Sequence, residues 1–120
     1  MRAAADVLTA LVALEHLWFL VLEMFLWTKP IGLKTFRLTP QFAEASKALA
    51  ANQGLYNGFL AAGLLWGFLA QDPAAALSIK TFFLACVVVA GAVGAATVSP
   101  RILLVQAAPA LAALALLRWP

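Results

Sequence analysis

The sequence predicts an all-α integral membrane protein, an antiparallel four-helix bundle. Three observations predict it. Of 120 residues, 65% are hydrophobic and 11% are charged. Ordinary globular domains run at about 45–50% and about 25%. Polar surface of that extent cannot cover a soluble core, and the mean hydropathy of +0.97 points the same way. The second observation is that charged residues cut the chain into apolar runs long enough to cross a bilayer. The third is a repeated helix-start signal, Thr39-Pro40, Asp72-Pro73 and Ser99-Pro100. Composition also excludes a disordered chain, a secreted disulfide scaffold and a conventional soluble enzyme.

The first helix is expected over residues 3–27. Arg2 could open a signal peptide, but the run Val7–Leu14 is short and Glu15 and His16 follow it. A retained first span is therefore expected. The second helix is expected over 48–70, in the stretch of 24 uncharged residues between Lys47 and Asp72. The third, 74–97, lies in the 20 uncharged residues between Lys80 and Arg101, extended toward the Asp72-Pro73 start. The fourth, 101–118, has 16 residues between Arg101 and Arg118, and both arginines can reach to the lipid headgroups. At each start signal a side-chain oxygen accepts a free first-turn N–H. The proline then supplies a helical φ and has no N–H to leave unpaired. The basic connection 29–39 alternates cationic and apolar residues. It is read either as a segment lying on the membrane surface or as a solvated loop. Pro40–Lys47 is expected to be a helical turn or two leading into the second span.

Net charge is +3, with the cations at the ends of apolar runs and no basic patch for nucleic acid. One cysteine, Cys86, and one histidine make a poor metal set, so no metal or cofactor is expected. Lys29, Lys34, Arg37, Lys47 and Arg101 fall on the side of the first and third loops. Arg2, Lys80 and Arg118 fall on the other side. The basic excess places the first and third loops in the cytoplasm.

Polar residues inside the apolar runs are the candidate site. An ionisable side chain at the centre of a membrane helix costs roughly 2.5–3.5 kcal/mol. His16, Leu20, Glu23 and Trp27 share one helical stripe, which should face protein. Glu15 lies about 100° from His16. On the second helix Asn52, Gln53, Tyr56 and Asn57 form one broad polar face, and the fourth helix adds Gln106, with Pro109 able to loosen the backbone beside it. By distance from the helix ends, Glu23, Asn52, Gln53, Thr97 and Gln106 share a layer near the basic side, with His16 and Asn57 deeper. Three readings stand for this layer: a ligand site, interhelical hydrogen bonding, or an oligomer contact. Gly54/Gly58, Gly63/Gly67 and Gly91/Gly94 mark close packing, within the bundle or between copies.

The strings Leu22-Glu23-Met24-Phe25-Leu26-Trp27-Thr28-Lys29-Pro30 and Ala51-Asn52-Gln53-Gly54-Leu55-Tyr56-Asn57-Gly58-Phe59 resemble the bacterial family catalogued as domain of unknown function 1304. So do Leu38-Thr39-Pro40, Ala90-Gly91, Gly94-Ala95-Ala96-Thr97 and Val105-Gln106. The family has an aromatic near Val93, where this chain has none. The resemblance implies a four-helix bacterial inner-membrane protein and implies no activity. The residues themselves favour a pocket that binds a membrane lipid or small amphipathic molecule, with its chemical transformation as an open option. Glu23 and His16 would be the proton-handling groups. Glu15, Asn52, Gln53, Tyr56, Asn57 and Gln106 would line the site. Whether the protein is an enzyme stays open. The alternatives are a subunit of an oligomeric transporter or channel, with copies joined through the Gly54/Gly58 or Gly91/Gly94 faces, and a structural protein with no site.

Overall fold

The computed structural model describes residues 2–120. These residues form five α-helices and, among the described residues, no strand. Helix α1 is Arg2–Met24, α2 is Pro30–Phe36 and α3 is Pro40–Leu69. Helix α4 is Pro73–Thr97, and α5, Ala108–Leu117, follows a π-helical turn at Leu103–Ala107.

The helix starts obey the capping chemistry. The Thr39 hydroxyl accepts the Phe42 N–H at 3.1 Å and the Asp72 carboxylate accepts the Ala75 N–H at 3.0 Å. Ser99 accepts the Arg101 N–H at 3.3 Å, a longer and looser cap. The last helix is also the irregular one. Pro109 has no N–H, and its ring would crowd the carbonyl one turn before it. The backbone widens there, and the Ala108 N–H reaches back five residues to Leu103.

The first connection holds a short helix that its alternating composition does not announce. Lys29 is extended ahead of Pro30 (φ −86°, ψ 161°), which ends α1 early and starts α2. Helix α2 stops at Arg37, whose backbone is left-handed (φ 56°) and whose N–H bonds the Leu33 carbonyl. Leu38 N–H reaches the same carbonyl at 2.9 Å. Glycine commonly fills this stop, because a Cβ is strained there. Arg37→Gly is therefore expected to raise unfolding stability by about 0.5–1 kcal/mol. A detergent melt checks it, and a lower melting temperature would contradict the cap assignment.

The chain divides into two compact units. The first comprises residues up to Leu14 with Leu60–Pro120, and the second comprises Glu15–Phe59. In the first, Val12 of α1, Leu64 of α3, Leu84 and Val87 of α4, and Ala110 and Ala113 of α5 form one buried cluster. Small residues set the spacing. A Cβ on Gly91 would sit 2.8 Å from the Ala107 backbone nitrogen and 2.7 Å from its Cβ. The α4 backbone thus lies directly on the π-helical turn.

In the second unit the α1–α2 turn is fastened to α3. The Trp27 indole N–H donates to the Ser46 hydroxyl at 3.0 Å, and the Trp27 ring packs on Phe36 at 4.9 Å between centroids. Ser46 donates in turn to the Phe42 carbonyl.

Helices α1 and α4 are long and apolar enough to cross a membrane. The apolar stretch Leu103–Leu117 is shorter. Helix α3 has the length, but Asn52, Gln53, Tyr56 and Asn57 dilute its apolar character. Much of the apolar surface is uncovered. Only 28% of the apolar window of α1 and 17% of that of α4 is buried. Trp18, Phe25, Phe42, Leu49, Phe82 and Leu104 are among many large apolar side chains left exposed.

Candidate functional site

Helix α1 buries one continuous stripe. Ala5, Thr9, Val12 and His16 recur at three- and four-residue steps, Glu23 follows two turns on, and all are buried. This is the stripe of His16 and Glu23 continued toward the N-terminus. Thr9 meets its own need locally, donating to the Ala5 carbonyl at 2.7 Å.

Glu23 is the only Asp, Glu, Lys or Arg that is buried among the described residues, 4% exposed. Its carboxyl is held from α3. Gln53 donates to one oxygen at 2.8 Å and Asn57 donates to the other. Two amide donors on two carboxyl oxygens offset the loss of water around the group.

The approach of α3 is set by Gly54. A Cβ there would lie 3.1 Å from the Glu23 Cβ and 3.3 Å from the Leu20 carbonyl oxygen. Leu20 also sits against Gly58, where an added Cβ would meet its Cδ1 at 2.6 Å. Both glycines are thus covered by α1 of the same chain. Gly91 is covered by Ala107 and Gly94 by Ile102.

The other candidate residues separate by helical phase. Gln53 and Asn57 are one turn apart and face Glu23. Asn52 and Tyr56, also one turn apart, lie on the neighbouring stripe. Asn52 is exposed, and Tyr56 is 57% exposed with its ring edge-on to Phe59 at 5.8 Å. Gln53 itself is exposed as well. The hydrogen-bonded carboxyl therefore continues, through Gln53, into an open polar strip on α3.

His16 is fully buried, edge-on to the Phe19 ring at 5.3 Å between centroids. It lies two turns from Glu23, about 10.5 Å along the axis. Glu15 is half-buried, and its Oε1 is out of solvent without a hydrogen-bond partner among the described residues. Gln106 belongs to the other unit, half-buried within the π-helical turn. Thr97 bonds within its own helix, donating to the Val93 carbonyl at 2.7 Å.

Sequence reasoning missed the Trp27–Ser46 bond. Its partners are 19 residues apart with no pattern linking them. It also missed the pairing of Lys80 with Asp6 at 3.1 Å, whose partners are 74 residues apart.

A family model described as "Protein of unknown function (DUF1304)" matches residues 10–118. The chain is similar to the "Uncharacterized protein YpaA" of Lactococcus lactis subsp. lactis (strain IL1403). The two are 30% identical over 110 residues, covering 90% of this chain and 91% of YpaA. No solved structure matches the chain.

Proposed function

The chain belongs to the DUF1304 family, whose description assigns no activity, and from that premise we propose a multi-pass membrane protein that holds a small amphipathic or lipid-like molecule at Glu23. In this reading α1, α3, α4 and α5 span a bacterial inner membrane as an antiparallel four-helix bundle. The many large apolar side chains left exposed in each unit support the membrane reading. Soluble monomers rarely leave contiguous apolar patches beyond a few hundred Å² uncovered.

One observation carries the ligand. The Glu23 carboxyl and its two amides adjoin the exposed Asn52 and Tyr56 on an otherwise apolar chain. Uncovered amides facing hydrocarbon cost several kcal/mol each. A polar group of a bound molecule would remove that cost, with Glu23 as its charge or proton partner and Asn52, Gln53 and Tyr56 orienting it. His16 is too far along α1 to share a proton with Glu23 directly. It is assigned to a deeper position in the same site.

The test is Glu23→Gln, which keeps shape and hydrogen-bonding capacity and removes only the ionisable group. Wild type purified in mild detergent should retain a discrete small molecule by native mass spectrometry. Glu23→Gln should fold and lose it. If wild type retains nothing and Glu23→Gln is unchanged or more stable, the amides are interhelical fasteners and the ligand reading fails.

The orientation proposed has the first and third loops in the cytoplasm. In a Cys86→Ala background, a membrane-impermeant thiol reagent on intact cells should label Gln71→Cys and leave Lys34→Cys unlabelled. The opposite pattern would invert the topology.

A further inference from the structure

A pocket lies at one end of the helices of the first unit, where Arg2, Asp6, Lys80 and Arg118 converge. It has a volume of about 710 Å³ and gathers the start of α1, the end of α3, the start of α4 and the end of α5. Pockets that bind small molecules typically measure about 300–1,000 Å³. Its side-chain charge is lopsided, three cations against the one carboxylate of Asp6.

The cations play different parts. Lys80 is built in. Its side chain is 12% exposed, its ammonium pairs with Asp6 at 3.1 Å, and it stands 4.2 Å above the Phe68 ring. The carboxylate and the ring fix this charge in one place. Asp6 is thereby committed to Lys80. Arg2 and Arg118 are exposed and are in no ion pair among the described residues. Two guanidinium groups are left with donors to offer, in the planar arrangement that suits phosphate oxygens. The lining also includes the apolar side chains of Leu77, Leu116, Leu117 and Trp119, beside the amide of Gln71.

We infer that this pocket binds the phosphate of an anionic phospholipid headgroup, with Arg2 and Arg118 clasping the phosphate above the fixed charge of Lys80. Apolar side chains beside a cluster of cations fit an amphiphile better than a free ion. Helix ends bearing Arg, Lys and Trp belong at headgroup depth, where such a phosphate lies. The inference rests on the membrane reading of the chain and not on the Glu23 site, which uses residues of the other unit.

The test is calorimetry on the full chain in a nonionic maltoside detergent. The probes are short-chain phosphatidylglycerol, short-chain phosphatidylcholine, glycerol phosphate and inorganic phosphate. Phosphatidylglycerol should bind at least tenfold more tightly than phosphatidylcholine, and salt should weaken it. The exposed pair Arg2→Gln/Arg118→Gln should lower its affinity at least tenfold without altering the melting temperature. Glu23→Gln should leave the affinity unchanged, which separates this site from the other. If inorganic phosphate binds as tightly as the lipid and the arginine pair abolishes it, the anion site stands with free phosphate as its occupant. Equal affinity for the two lipids, or no effect of the arginine pair, overturns the site. Loss of lipid binding in Glu23→Gln would overturn its assignment to this pocket.

Discussion

Glu23→Ala is expected to destabilise the protein by about 2–4 kcal/mol, while Glu23→Gln should change stability by less than about 1 kcal/mol. The alanine removes both acceptors at once. Gln53 is exposed and can find another partner. Asn57 is half-buried, so its amide donors lose the carboxyl with little water to replace it. A hydrogen bond to a charged group contributes about 1.5–3 kcal/mol, and stranding a buried donor costs a further fraction of that. Glutamine keeps one acceptor and adds a donor, which a rotation of the Asn57 or Gln53 amide can accommodate. Denaturant titrations of the three proteins in the same detergent decide it. Equal losses for alanine and glutamine would mean that charge, not hydrogen bonding, holds α3 against α1 at this point.

Gly91→Ala is expected to cost about 1–3 kcal/mol, although alanine is the better helix former. The new Cβ would meet the Ala107 nitrogen at 2.8 Å and its Cα at 3.0 Å. These are backbone atoms of the π-helical turn, so no side-chain rotation relieves the overlap. The double variant Gly91→Ala/Ala107→Gly removes the Cβ contact and leaves the nitrogen, so it should recover only part of the loss. Full recovery would show that the Ala107 Cβ alone sets the spacing. A stabilised single variant would contradict the close approach of α4 to this turn.

Local chemistry was the legible part of the fold. The three Thr-, Asp- and Ser-Pro starts place α3, α4 and the last helical segment because capping needs only neighbouring residues. The π-helical turn was half legible. Pro109 implied a loosened backbone, but whether it kinks, breaks or widens the helix depends on what packs there, and Ala107 packs on Gly91. The early stop of α1 at Met24 and the short α2 follow from Pro30 and from the fit around Trp27, Phe36 and Ser46, which no periodicity encodes.

The candidate site divides along the same line. Helical phase puts His16 and Glu23 on one stripe, and that stripe is the buried face of α1. On α3, phase separates Asn52/Tyr56 from Gln53/Asn57, but only the glycine contacts at Gly54 and Gly58 decide which pair turns to Glu23. A depth estimate counted from the helix ends puts Asn57 below Glu23. In the structure it reaches the same carboxyl, because the side chains of Asn57 and Gln53 converge across one turn.

What covers the exposed polar strip of α3 tests the account most directly. A benzophenone amino acid replacing Tyr56, irradiated in native membranes, reports its neighbour by the mass of the product. The same group replacing Trp66, exposed on the apolar half of α3, is the reference for bulk lipid. The account expects a discrete small-molecule adduct at Tyr56 that is absent at Trp66 and lost when Glu23→Gln is added. The same lipid products at both positions, or a product of twice the chain mass at Tyr56, would contradict it.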